Sequence, residues 1–280
     1  MKGSWFNFFS AVPSGRNLTQ TIYQPLRSWL ISGCRFATQF ILTAVLLLKA
    51  IDARAQTTNS LSDAEIQGQA LAQKILQQWP AENVTNAGVL QIRDKDGKRS
   101  TLPLKVEVTV TETNWSSRYE AMPGSNSTDV TSLIVTHSLI GPNQYLAFEN
   151  GKETSAGPGN RTMIPFAGSE FYLGDLGLEF FHWPGQKVLR REVHRSCGCT
   201  VLESTNPEPA ADAYSKVVAW IDNDSLGIVE AYAYDAKGKR WKDFEPKDLK
   251  KIHGQYQVQT MFMENVQTGA RTRMEFNLKK

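Results

Sequence analysis

The chain has 280 residues, a formal charge of +3, 41% hydrophobic and 21% charged residues. That composition excludes a disordered or fibrous chain and leaves room for a leader plus one domain. The positive charge is concentrated at the front. Residues 1–55 hold six Lys and Arg and one acid, so 25 basic and 27 acidic groups remain in residues 56–280. The larger part therefore lacks the basic footprint of a nucleic-acid binder, and no nucleic-acid partner is expected.

A leader comes first. Phe36–Leu48 is apolar, is preceded by Arg27 and Arg35, and stops at Lys49. An apolar core of this length suits a signal peptide and falls short of the about 20 residues that span a bilayer. Ala53-Arg54-Ala55 supplies the small-x-small pattern for cleavage, which gives a signal peptide over 1–55 and a mature start at Gln56. Cys34 precedes the apolar run, so it cannot be the acylated cysteine of a lipoprotein signal.

A helix over 62–79 follows. Ser62 and Glu65 fit a capping box, Ile66, Ala70, Ile75 and Trp79 fall near one face with Leu71 and Leu76 beside them, and Pro80 ends the run. Strands then dominate. Val89–Arg93 turns through Asp96-Gly97 into Leu102–Val110, where apolar residues alternate with Lys105, Glu107 and Thr109. Pro103 marks a strand start or an edge. Further strands are expected over 116–122, 130–138, 144–149, 186–195, 199–204, 214–222, 227–235, 239–244, 256–264 and 271–278, separated by turns such as Asn150-Gly151 and Lys237-Gly238. Hairpin-length gaps predict an antiparallel meander and argue against a parallel α/β sheet. Residues 151–169, rich in Gly, Pro, Ser and Asn, read as a loop. Residues 170–184 are strongly apolar and aromatic and read as helical turns packed on the sheet.

No motif for an enzyme is written here: no Gly-x-Ser-x-Gly, no His-Glu-x-x-His, no phosphate-cradling glycine loop and no dinucleotide fingerprint. Neither catalysis nor a cofactor is expected. Asp175 and Glu179 are spaced to share a helix face, which suits acid/base work only with a cleft and shifted pKa values; capping or solvent exposure is the plainer reading. His194-x-x-Cys197-x-Cys199 is a weak metal candidate that would need a fourth ligand, with His182 at hand only if folding brings it there. Free thiols and a small-loop disulfide between Cys197 and Cys199 stand beside it. His137 and His253 read as structural. Lys239-Arg240-Trp241-Lys242 and Lys247, Lys250 and Lys251 read as a solvated face, with anionic headgroups as the alternative contact.

An apolar surplus remains. Trp115, Trp183, Trp220, Phe180, Phe181 and Met261 are candidates either for core or for the lining of an apolar cavity. Residues 170–184 are the candidate lid.

The order Phe171-Tyr-Leu-Gly-Asp-Leu-Gly-Leu-Glu-Phe-Phe-His-Trp-Pro184, Cys199-Thr-Val-Leu-Glu-Ser204, Tyr214-Ser-Lys-Val-Val-Ala-Trp-Ile-Asp222, Glu230-Ala-Tyr-Ala-Tyr-Asp235 and Gly269-Ala-Arg-Thr-Arg273 resembles the bacterial outer-membrane lipoprotein-sorting protein family, the LolA-like periplasmic carriers. The resemblance runs over about 80–280. It implies a mainly β (α+β) fold over 56–280: one curved antiparallel sheet forming an unclosed β-barrel, with helices covering the concave side. It further implies a periplasmic carrier for lipid or lipoprotein acyl chains, with inner- or outer-membrane lipoprotein transport components as partners and no catalytic set. An exported adaptor or structural domain with a filled barrel, docking on an envelope membrane assembly, is the alternative. Cys197-Gly-Cys199 as a motif is not part of what carries the resemblance, so a separate redox or metal role stays open for it.

Overall fold

A computed structural model describes residues 61–122, 130–138, 141–149, 151–156, 159–252 and 255–278. The leader and His253 lie outside the described residues, and the structural account below covers the rest.

Thirteen strands form one antiparallel sheet. Six run in sequence as a meander: β1 (Val84–Arg93), β2 (Arg99–Val110), β3 (Asn114–Ala121), β4 (Val130–Ser138), β5 (Gln144–Glu149) and β6 (Lys152–Ala156). Seven form a second meander: β7 (Gly185–His194), β8 (Cys197–Thr205), β9 (Lys216–Asp222), β10 (Ile228–Tyr234), β11 (Arg240–Ile252), β12 (Gln255–Asn265) and β13 (Arg271–Phe276). Pairing of β1 with β13 joins the two, from Gly88 opposite Phe276 to Arg93 opposite Arg271. At this seam a Cβ on Gly88 would stand 2.1 Å from the backbone oxygen of Glu275, so no larger residue fits without moving the strands.

The sheet's two edges are β6 and β7, so the barrel stays open. Between the two edges, the crossover of residues 159–184 covers the concave face. The crossover holds the short helix α2 (Leu173–Leu176) and a 3-10 turn at Glu179–His182, which matches the helical turns expected over 170–184. Tyr172 and Phe180 turn toward β8–β11, while Phe166, Phe171 and Leu173 turn toward β1–β5 and β13.

The helix α1 spans Asp63–Leu76 with the Ser62–Glu65 capping box in place. Its buried side is Gly68, Ala72 and Ile75, and Ile66 is exposed. Of the face expected from the sequence, Ile75 is buried while Ile66 and Ala70 are exposed, so the buried side is rotated toward Gly68 and Ala72. Close approach explains it: a Cβ on Gly68 would lie 2.6 Å from the backbone of Gln186, so the helix seats its smallest residues on edge strand β7.

The loop expected over 151–169 contains strand β6, paired with β5 from Glu149 opposite Lys152 onward. Its sequence has no apolar alternation; the free edge of β5 and a turn at Gly151 (φ 74) supply the pairing. Strand β11 also runs on to Ile252, well past the expected 244, because β12 pairs with it along that length.

Candidate functional site

Side-chain size decides where the concave face is filled. Under β1–β5, Leu90, Tyr119, Leu133, Val135 and Ala147 meet Phe166 and Leu173 with essentially no exposure. Under β9 and β10 the inward positions include Ala219, Ala231 and Ala233, with Ala231 directly opposite Ala219. These short side chains do not reach the crossover, and a chamber of ≈ 80 Å³ remains. Its walls are Phe171, Leu176, Leu178 and Phe180 from the crossover, Val217, Ile228, Ala231 and Ala233 from β9 and β10, and Phe244, Met261 and Met263 from β11 and β12.

Two further hollows continue from it. A small one of ≈ 30 Å³ lies between Ile75, Leu76, Trp115, His137, Leu176 and Leu178. An open groove of ≈ 640 Å³ runs along α1, lined by Ile66, Ala70, Leu76, Phe181, Trp183 and Pro184. Leu176 and Leu178 are walls common to the chamber and the small hollow, and Leu76 is common to the small hollow and the groove.

The six aromatic and Met candidates are divided among these places. Phe180 and Met261 line the chamber. Phe181 and Trp183 line the groove. Trp115 lines the small hollow, stacked on His137 with ring centroids 3.7 Å apart. Trp220 is on the other face of the sheet: Ala219 and Ile221 turn inward, so period 2 sends Trp220 outward to Cys199, Val201, Val218 and Val229. There its Nε1 donates to Glu192 at 2.6 Å, and Tyr232 meets it edge-on.

Hydrogen bonds from the sheet pin the crossover. Asn143 Nδ2 donates to the carbonyl of Gly177 (2.7 Å), Tyr145 OH to Glu179 (2.9 Å) and Lys242 Nζ to the carbonyl of Glu170 (2.5 Å). Gln186 Nε2 donates to the carbonyls of Phe180 and Trp183, both at 2.9 Å, and its oxygen accepts from Ser204. The lid is therefore latched at both ends.

Asp175 and Glu179 do not act as a pair. Leu178, in the left-handed region at φ 53, turns the chain between them at a cost of about 1 kcal/mol. Glu179 goes to Tyr145 on β5, whereas Asp175 Oδ2 accepts from Tyr172 N–H (2.8 Å) and Tyr214 OH (3.2 Å). Burial lifts the Asp175 carboxyl to about 6, against the opposing pull of Lys242.

Lys242 corrects the solvated-face reading of its segment. Its side chain is 1% exposed, 3.2 Å from Glu170 Oε2 and 3.4 Å above the ring of Tyr172. Burial lowers its pKa. The signal was present in the sequence: Lys242 and Phe244, two apart on a strand, share a face.

The histidine–cysteine cluster stays together as a cross-strand neighbourhood, with His194 opposite Cys197 on β7 and β8. His194 Nε2 lies 2.8 Å from Glu230 and its ring stacks on Trp220. Cys197 and Cys199 are free thiols, and burial pushes Cys199 up to about 11. Among the described residues no group of three or more His, Cys, Asp or Glu is placed to hold a metal ion. Burial holds His137 down at about 3 and His182 at about 4.

An open antiparallel sheet with its concave side roofed by helical turns over an apolar chamber defines the class of unclosed β-barrels. A domain described as an outer membrane lipoprotein-sorting protein, from Vibrio parahaemolyticus, superposes with a TM-score of 0.63 at 20% identity, covering 76% of this chain and 92% of that one. A DUF1329 family protein from Desulfovibrio piger gives 0.61 at 19% identity, covering 77% and 92%. A LolA superfamily protein from Nitrosomonas europaea gives 0.53 at 15%, covering 78% and 93%. These likenesses are of fold. No curated protein matches in sequence. A family model described as "-like: Uncharacterized protein" matches residues 127–279, more than half of the chain, and the chain belongs to that family.

Proposed function

We propose that this protein is an exported, non-catalytic carrier that shields the hydrocarbon part of a lipid or a lipoprotein acyl chain between its sheet and its crossover. The supporting observation is the chamber itself, apolar on nearly every wall and roofed by a latched segment, in a fold shared with an outer membrane lipoprotein-sorting domain. Each buried methylene contributes about 0.8 kcal/mol, so even a short stretch of chain gives useful affinity. A longer chain would part Leu176 and Leu178 and run through the small hollow toward the groove along α1. Residues 1–55 serve as the cleaved leader, residues 56–280 work in the periplasm, and the partners are the membrane components that load and unload the cargo. Among the described residues no helix is long and apolar enough to cross a membrane.

The small volume of the chamber favours the second reading, an adaptor that binds no lipid. Native mass spectrometry of gently purified protein separates the two. The carrier releases phospholipid or lipopeptide in the gas phase and takes up a hydrophobic dye. Ala231→Trp, which fills the chamber from β10, abolishes both while the fold survives. A ligand-free chain that ignores the dye sinks the carrier.

A further inference from the structure

Only two of the chamber's wall residues are charged, Asp175 and Lys242, and they are not equivalent. Lys242 is matched in full: Glu170 offers its carbonyl at 2.5 Å and its carboxylate at 3.2 Å, and the ring of Tyr172 lies beneath the ammonium. Asp175 has no cation within ion-pairing distance among the described residues. Both of its hydrogen bonds end on Oδ2, leaving Oδ1 without a donor from a described residue. Lys242 acts on Asp175 only from beyond ion-pair distance and is bonded to Glu170. A carboxylate walled in apolar surroundings without a direct ion-pair partner is costly, and a guest that brings a cation to it recovers that cost. With Glu170 and Asp175 against Lys242, the local balance is negative, so a guest carboxylate meets repulsion and finds the one ammonium already engaged. Phe171, Tyr214 and Phe244 in the walls suit a cation as well.

We propose that the chamber selects a single-chain amphiphile whose polar end is a protonated amine, with Asp175 Oδ1 as its acceptor. This rests on the carrier reading above. It makes Asp175 a specificity residue, with the apolar walls contributing affinity for the chain.

The test compares dodecylamine, dodecanol and dodecanoic acid below their micellar concentrations, by calorimetry on the mature chain at neutral pH. The amine binds about tenfold tighter than the alcohol, and the acid weakest, as a partly desolvated charge-assisted hydrogen bond requires. Asp175→Asn keeps an oxygen acceptor for Tyr172 and Tyr214, so the variant holds its fold by circular dichroism and binds amine and alcohol alike. The ranking on the unaltered chain needs no variant and stands as an independent arm. Alcohol binding with no preference for amine overturns this inference and leaves the carrier intact. Binding of none of the three overturns both. An amine preference that persists in Asp175→Asn also overturns the assignment to Asp175.

Discussion

The two meanders share one architecture and differ in what fills them. Under β1–β5 the inward residues and the crossover interlock, with Tyr119, Leu133, Phe166 and Leu173 essentially without exposure. Under β10 two alanines, Ala231 and Ala233, stand in the wall and a chamber results. The outer faces differ in the opposite sense. Strand β2 turns Lys105 and Glu107 to the outside as an ion pair, whereas β8–β10 turn out Val201, Val218, Trp220 and Val229 as a second apolar cluster. The hollow half is thus apolar on both faces, which gives its strands continuous apolar runs such as Val217–Ile221. A cavity in a sheet fold follows from small residues at paired inward positions, and needs no interruption of the ladder.

The seam between the halves is the place to break the comparison most severely. Gly88→Val forces a side chain into the backbone of β13 and is expected to destabilise by about 3 kcal/mol or more, read as a lower midpoint in urea. Within the filled half, Leu133→Ala is expected to cost about 2–5 kcal/mol. A matched pair sharpens the contrast: Ala147→Leu overpacks the filled half by about 1–3 kcal/mol, while Ala231→Leu grows into the chamber and costs less than about 1 kcal/mol. Equal losses at Ala147 and Ala231 would mean that the chamber is not real.

Acid titration gives the next effect. His137, held at about 3 in the fold against the ordinary 6.5, is protonated first in the unfolded chain. Stability is then lost as pH falls through the window from about 6.5 toward 3, on the order of 1–2 kcal/mol near pH 5. Asp175, raised to about 6 among Lys242, Glu170, Tyr172 and Tyr214, works in reverse. The folded chain holds its proton more tightly than the unfolded one, so stability rises as pH falls from about 6 toward 4. Thermal unfolding across this range is expected to show a shallower acid loss in His137→Asn and a steeper one in Asp175→Asn. The smallest effect belongs to the outer face. Trp220→Phe gives up the bond to Glu192 for about 1 kcal/mol and leaves ligand uptake unchanged, because the ring is on the far side of the sheet from the chamber.

Local pattern carried much of this. The capping box, the alternation of β2 and the Asp96-Gly97 turn are written in neighbouring residues, and the structure keeps them. The partition of the aromatic candidates was not legible, since whether an odd or an even strand position turns inward depends on what the other strands bury. For Lys242 the two-residue spacing to Phe244 hinted at a shared face, but its partners Glu170 and Tyr172 sit some 70 positions earlier in the chain and were not legible.

The amino-acid order by itself determined a β meander behind an amphipathic helix, with an aromatic crossover in its middle, because period and turn chemistry act over a few residues. Tertiary structure alone decided that α1 seats on Gly68, that Ala219 and Ala231 meet across a ladder, and that Asp175 is left facing a hollow without a direct ion-pair partner. Those outcomes depend on which distant backbones approach, and proximity of that kind is fixed only when the sheet curls and the crossover closes over it.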